Sequence, residues 1–309
     1  MLTFTLRRLF WFIPVFLLVS AVTFFTVRAI PGGPFDFTGT SEKPLPEAVI
    51  ENLEKKYGLD QPVWKQYLNY LRDLAHLDFG YSYKYRSRLV GDILAETFPI
   101  SAKLGFLATV IAVIMGVSLG IVAALHHNTA LDYGATFLAI AGISIPNMVV
   151  GPLLIWALVI KLRLFDLKWT DSFLNYLLPA ITLGTAMSAS IARLTRASLL
   201  QVIREDYIRT AYAKGLAQRM VVVRHALKNG LIPVVTIIGP MFANVVTGIL
   251  VVEQIFNVPG MGKHFVNSVG NRDYPLIIAA TIIFSTVIVL SNLLVDIVYG
   301  FLDPRIRYE

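Results

Sequence analysis

The sequence predicts an all-α integral membrane protein with six transmembrane helices and a helical external insertion after the first span. Three observations carry this reading. Hydrophobic residues make up 56% of the 309 residues and charged residues only 15%, whereas soluble domains carry about 25% charge. The apolar residues are collected into runs close to the length needed to cross a bilayer core as helix. The cations outside those runs are unevenly shared between alternate loops.

Candidate spans fall at about 9–27, 104–125, 137–162, 176–192, 231–252 and 276–298. The first follows Arg7 and Arg8 as a secretory leader would, but its 19 apolar residues exceed an ordinary leader core. The VRAIPGGP that follows lacks a small-x-small cleavage site, so the run is expected to stay as a span. The third span is interrupted by Pro146, Asn147 and Pro152. The fourth is short and rich in Thr182, Gly184, Thr185, Ser188 and Ser190. Prolines and small polar residues survive in lipid where neighbouring helices or an aqueous cavity satisfy the backbone. These two spans therefore face protein or a pathway, with ordinary packing kinks as the other reading.

An even number of spans places both termini on one side. That side holds Arg7, Arg8, the eight cations of 193–230, Arg305 and Arg307, twelve against the five of Lys161, Arg163, Lys168, Lys263 and Arg272. The termini are thus expected in the cytoplasm. The domain reading is a cytoplasmic N-terminus with the first span over 1–30, an external helical region over 31–97, and a five-helix permease core over 98–309 with a cytoplasmic loop at 193–230. Within the external region, PEAVIENLEKKYG and PVWKQYLNYLRDLAHL show helical spacing, the former closed by Gly58. This cap either recognises a partner or packs as a lid.

Chemical signatures are absent from the sequence. With no cysteine, disulfides, iron–sulfur clusters and thiolate zinc sites are excluded. No phosphate loop occurs: Gly262-Lys263 is followed by His264, and Asn257 stands where the first glycine belongs. The pair His126–His127 does not share a helix face and reads as solvated rather than metal-binding. The net charge of +7 belongs to the loops, and no basic patch carries the aromatics that nucleic-acid binding needs. Asp296, near the end of the sixth span, is expected to partner a cation. Lys103 begins the second span and Glu253 ends the fifth. Gly116-x-x-x-Gly120 permits close helix approach. Polar residues within spans that could line a pathway are Asn147, Thr185, Ser188, Asn244 and Thr247, with helix–helix bonding as their alternative role.

The most informative segment is DYIRTAYAKGL, 206–216, a short amphipathic helix between two spans. Glu205 and Asp206 suit the positive end of a helix dipole. Thr210, Ala211 and Ala213 offer a low-profile surface, and Gly215 permits a turn or a close approach. Such a helix could press into a groove on a soluble partner. A solvated positive-inside loop is the alternative.

At these residues the chain resembles the membrane subunits of bacterial ABC importers, whose cytoplasmic signature is E-A-A-x-x-x-G. Here the string runs from Arg209 to Gly215, with Arg209 in place of Glu and Thr210 in place of the first Ala. The signature's later proline position falls on Lys228, with Pro233 five residues on. These departures match the oligopeptide/dipeptide permease branch, B-type, as do RHALKNGLIPV at 224–234, KYGLDQPVWKQYLNYL at 56–71, FPISAKLG at 98–105 and VEQIFNVPGMGKHFVNSVGNRDYP at 252–275. The short external loop after the third span favours oligopeptide-type over dipeptide-type subunits.

The resemblance implies a type I importer fold and a non-catalytic subunit of an ATP-driven oligopeptide importer in the bacterial inner membrane. Implied partners are a homologous C-type permease, two ABC ATPases that bind ATP and Mg, an external solute-binding protein, the peptide and the lipid bilayer. This chain itself would carry no cofactor. The implied coupling residues are Asp206, Tyr207, Arg209, Thr210, Ala211, Ala213, Lys214, Gly215 and Leu216. Importers of dipeptides, nickel chelates or oligosaccharides are the related alternatives. An ion-coupled secondary transporter and a non-transporting scaffold are the distant ones.

Overall fold

The computed structural model describes residues 2–35, 46–85 and 88–302, with side chains from Arg7 to Val298 apart from Leu9, Thr247 and Gly248. Among the described residues the chain is helical, apart from one isolated antiparallel bridge between Tyr81 and Leu89. Four helices are each long and apolar enough to cross a membrane: α1 (Leu2–Arg28), α4 (Val90–Leu125), α7 (Phe173–Val202) and α14 (Tyr274–Leu302). Two bent pairs bring the number to six if each is one span. The first pair is α5 (Ala130–Ser144) and α6 (Asn147–Leu154), the latter prolonged as a π-helix over Ile155–Lys161. These meet at 101°.

The second pair is an arm over 218–230, comprising α9 (Gln218–Met220), a π-helix (Val221–Ala226) and α10 (Leu227–Gly230), followed by α11 (Ile232–Gly248) at 52°. Proline explains both breaks. Pro146 drives Ile145 into extended backbone, φ −92° and ψ 115°, which ends α5. Pro233 occupies the first turn of α11, where a missing N–H costs nothing. The third expected span is therefore a corner rather than a kinked rod. The fifth acquires a helical arm that apolarity alone did not reveal.

The chain divides into two compact units. The first comprises Met1–Arg8, Ala102–Val258 and Ile288–Glu309. Its seam is α4 on α7. A Cβ added to Gly116 would lie 2.6 Å from the Ser188 carbonyl oxygen and 2.6 Å from Ile191 Cβ. One added to Gly120 would meet Thr195 Cβ at 2.5 Å and the Ala192 carbonyl at 2.7 Å. Ala112, Met187, Ile191 and Val234 fill the seam beside them. On its other side α7 takes α5 through Ala139, Ala189 and Ala192. Asp296 pairs with Arg8, as the sequence predicted for that carboxylate. Lys103 reaches Asp171 at 3.8 Å, and both are exposed. Glu253 is buried in α12 (Leu250–Ile255).

Helix lengths differ from the hydropathy reading. α7 continues ten residues past Ala192 through Arg193 and Arg196. Two of the eight cations assigned to the 193–230 loop thus sit on α7, and 218–230 is helical too. α4 starts at Val90, inside the segment read as external, and runs through Pro99.

The second unit comprises Leu9–Ser101 and Pro259–Val287. The predicted amphipathic helices appear as α2 (Glu47–Tyr57), closed by Gly58, and α3 (Val63–Ala75). Leu74 of α3 packs with Phe24, Ile278 and Ile282. Arg28 donates from Nε to Gln66 Oε1 at 2.9 Å, and its guanidinium lies 3.5 Å over the Phe24 ring. Val90, Ile93 and Leu94 bury against Met261, Leu276 and Phe284, which is why α4 begins earlier than its hydropathy suggests. Ser101 Oγ accepts the first N–H of α13 (Met261–Gly270) at 2.8 Å. Asp273, fully buried before α14, takes hydrogen bonds from Ser82 Oγ and from the Tyr83 N–H at 3.1 Å.

Lipid tails are as apolar as leucine, so close van der Waals contact rather than water exclusion holds such helices together. Gly120→Leu should therefore overpack the α4–α7 seam, at a cost of about 1–3 kcal/mol. A clear fall in melting temperature in detergent is expected. Gly134→Ala, on an α5 site with no atom within 4 Å, should leave that temperature unchanged or slightly raised.

Candidate functional site

The chain leaves α7 through Ile203–Glu205 and enters α8 (Asp206–Ala213). Asp206 lies in the first turn, where its charge suits the exposed N–H groups. Its exposed ion pair with Arg209, at 3.5 Å, adds little. Eight residues are far too few to hold a helix alone in water, so α8 depends on what it is docked against. Ile208 and Ala211, three apart, form its inner face and are 1% and 6% exposed. They pack with Ala124 at the end of α4, Leu199 of α7, and Val221 and Ala226 of the arm.

The end of α8 is closed by backbone geometry. Gly215 has φ 75°, and the N–H groups of Gly215 and Leu216 return to the carbonyls of Tyr212 and Ala211 at 2.9 and 3.4 Å. This is a Schellman arrangement, completed by Leu216 packing into the cluster beneath. Asn229 Nδ2 donates to Tyr207 Oη at 2.8 Å, tying the helix start to the end of the arm. The result is a foot fixed to α4, α7 and the arm.

Of the nine residues predicted for this site, seven are exposed on the foot: Asp206, Tyr207, Arg209, Thr210, Ala213, Lys214 and Gly215. Leu216 is half-buried, and Ala211 faces the chain's own core. Ala211 had been read as part of the outward low-profile surface. The sequence reading also missed Tyr212, Met220 and Val223, which are 44%, 48% and 59% exposed. A uniform helical wheel over 206–223 could not place the last two, because the turn at Gly215 and the π-helix reset the register.

A second cluster lies one turn from the foot. Asp132, in the first turn of α5, is 1% exposed. Arg196 of α7 donates to it in a fork, Nε to Oδ1 and Nη2 to Oδ2, each at 2.7 Å. The Asn128 N–H donates to Oδ2 at 3.0 Å, and His127 Nδ1 lies 3.3 Å from the same oxygen. His127 is exposed, as the sequence reading has it, and stands at the rim of an ionic site whose buried member is Asp132. The signal that could have revealed it was an aspartate in the first turn of an apolar helix, which needs a cation.

The five pathway candidates lie on α6, α7 and α11. Thr185 and Ser188 spend their hydroxyls on α7 carbonyls, Thr185 to Thr182 at 2.9 Å and Ser188 to Thr185 at 2.7 Å. Ser188 is buried beside the α4 seam. Asn147 opens α6, with its Oδ1 buried and without a hydrogen-bond partner among the described residues. Asn244 is exposed on α11. The Thr247 side chain lies outside the described residues.

Gly215→Ala should cost about 1 kcal/mol, the usual price of a left-handed non-glycine residue. Faster amide exchange confined to 208–216 is expected, whereas Gly270→Ala, with no atom within 4 Å and no positive φ, should leave that segment unchanged.

Comparison with known proteins places this geometry. Residues 116–308 match the family model described as binding-protein-dependent transport system inner membrane component, and residues 1–105 match the N-terminal model of the same systems. The chain is 45% identical to the oligopeptide transport system permease protein OppB of Salmonella typhimurium, covering 100% of both chains. It is 44% identical to the dipeptide transport system permease protein DppB of Bacillus subtilis, over 99% of this chain and 98% of that one. Identity to the glutathione transport system permease protein GsiC of Escherichia coli is 40%, covering 100% of both. Among solved structures it is similar to an inward-facing MetNI methionine ABC transporter (TM-score 0.56, 14% identity, 68% of this chain and 96% of that one). The crystal structure of an amino acid ABC transporter with histidines is similar too (TM-score 0.53, 16% identity, 68% and 94%). At those identities the likeness establishes the fold, that of type I importer permeases.

Proposed function

The chain belongs to the family of binding-protein-dependent transport system inner membrane components, and from that premise we propose that it forms one membrane half of an ATP-driven importer of oligopeptides. It is a multi-pass inner membrane protein and a permease subunit. The full-length relatives carry oligopeptides, dipeptides and glutathione by name, all peptides, which supports a peptide cargo here. A dipeptide cargo is the second reading, favoured by the 44% identity to DppB.

In this reading a homologous permease completes the pathway. Two ATPases bind ATP and Mg on the cytoplasmic side, and an external binding protein delivers the peptide. The chain hydrolyses nothing itself. The cation distribution supports a cytoplasmic position for both termini and α8.

The observation that carries the proposal is the two-faced foot. Its inner face is committed to α4, α7 and the arm, and its outer face, from Asp206 to Gly215, is uncovered. A rigid lever with one face free suits a moving ATPase. Closure of the ATPases on ATP would shift the foot, and the attached helices would exchange inward-open for outward-open packing. The energy is the differential affinity of the ATPases for the two states.

The test is reconstitution. The purified chain alone should show no ATP hydrolysis. With its companions in proteoliposomes it should give ATP-dependent uptake of oligopeptides. Gly215→Trp should leave much of the assembly intact and abolish peptide-stimulated hydrolysis. Wild-type coupling in that variant would remove α8 from the mechanism, and uptake without ATPases would overturn the importer reading.

A further inference from the structure

We infer that the Asp132–Arg196 ion pair is a positioning element that makes α5 follow the foot, carrying its motion to the corner at Ile145–Pro146. The inference rests on the importer reading. Its warrant is the placement and chemistry of the pair.

Arg196 lies three residues before Leu199, the α7 residue that packs with Ile208 and Ala211 of the foot. Asp132 lies at the start of α5. A short ionic link therefore joins the helix under the foot to the beginning of the next helix. The link is directional, because a planar guanidinium binding both carboxylate oxygens at 2.7 Å fixes orientation as well as distance. The Asn128 N–H at 3.0 Å, His127 Nδ1 at 3.3 Å and Thr136 Oγ1 at 3.4 Å surround the carboxylate further, and His127 Nδ1 also lies 3.2 Å from Arg196 Nη2.

An apolar pair of similar volume would hold two helices together as well or better, since desolvating two charges offsets most of their attraction. An ion pair whose carboxylate is buried and whose guanidinium is partly exposed is best suited to fixing one register against sliding. Beyond it, Ala139 packs on Ala189 and Ala192, and a Cβ on Gly142 would come 3.1 Å from the Thr185 carbonyl. α5 is thus keyed to α7 along its length, with no slack before the 101° corner. There the extended Ile145 interrupts the helical hydrogen bonds, so displacement is taken up between α5 and α6.

The experiment uses the complete importer complex in proteoliposomes, measuring peptide uptake per ATP hydrolysed. Asp132→Asn combined with Arg196→Gln removes both charges together, leaving neither buried alone. The double variant should assemble and hydrolyse ATP within two-fold of wild type, while uptake per ATP falls at least ten-fold. Arg196→Lys, which keeps the charge but not the fork, should fall between. Uptake per ATP within two-fold of wild type in the double variant would overturn the inference.

A second measurement does not depend on variants of the pair. The chain has no cysteine, so spin labels can be placed at Leu138 on α5 and Glu205 at the start of the foot, both exposed. Their separation should be the same with and without ATP. A distance that changes with nucleotide overturns the inference even if the double variant fails to assemble. Failure of the wild-type complex to take up peptide would overturn the functional reading instead.

Discussion

The close approach of α4 and α7 at Gly116 and Gly120 is the constraint on which the first unit depends. Inside a bilayer no hydrophobic effect presses two helices together, so their affinity comes from atoms in contact. Two glycines one turn apart remove the side chains that would hold the backbones off, and Ile191 and Thr195 settle into the space. That contact sets the height and rotation of α7. Everything functional in the unit is then referred to α7: Leu199 receives the foot, Arg196 receives Asp132, and the alanines around position 189 receive α5.

Much of this was legible in the sequence for a physical reason. Spans are long, and their signal accumulates over many residues. The cap helices announced themselves by periodicity and by Gly58. The foot carried a helix start, a small-residue middle and a glycine stop, and the structure realises all three. Legibility failed where a helix outran its apolar stretch. α7 passes through Arg193 and Arg196 because one cation is exposed and the other is neutralised by Asp132, facts belonging to a partner 64 residues away. α4 extends back to Val90 because Met261 and Leu276 cover it, again a long-range cause.

The candidate site divides along the same line. The outward residues of α8, Tyr212 apart, could be read because the helix is local. The inward turn of Ala211 could not, since it depends on which side Leu199 and Val221 occupy. The polar residues Thr185 and Ser188 look from sequence like lining. In the fold their hydroxyls return to the backbone of their own helix, the ordinary way a hydroxyl survives away from water. Such a bond meets the hydroxyl's donor need and is compatible with either use of a polar residue in a span.

The corner at Pro146 bears on the life of the subunit before assembly. At the end of α5 several carbonyls lose their intrahelical partners, the proline supplies no N–H, and Asn147 adds an oxygen unmet among the described residues. Within hydrocarbon each such group costs several kcal/mol unless protein or water covers it. Phe137, Met148 and Trp156 on the same two helices are exposed, ready for an apolar cover. In the importer proposed above, the companion permease is the natural cover for this break, so a copy without it would carry these groups bare.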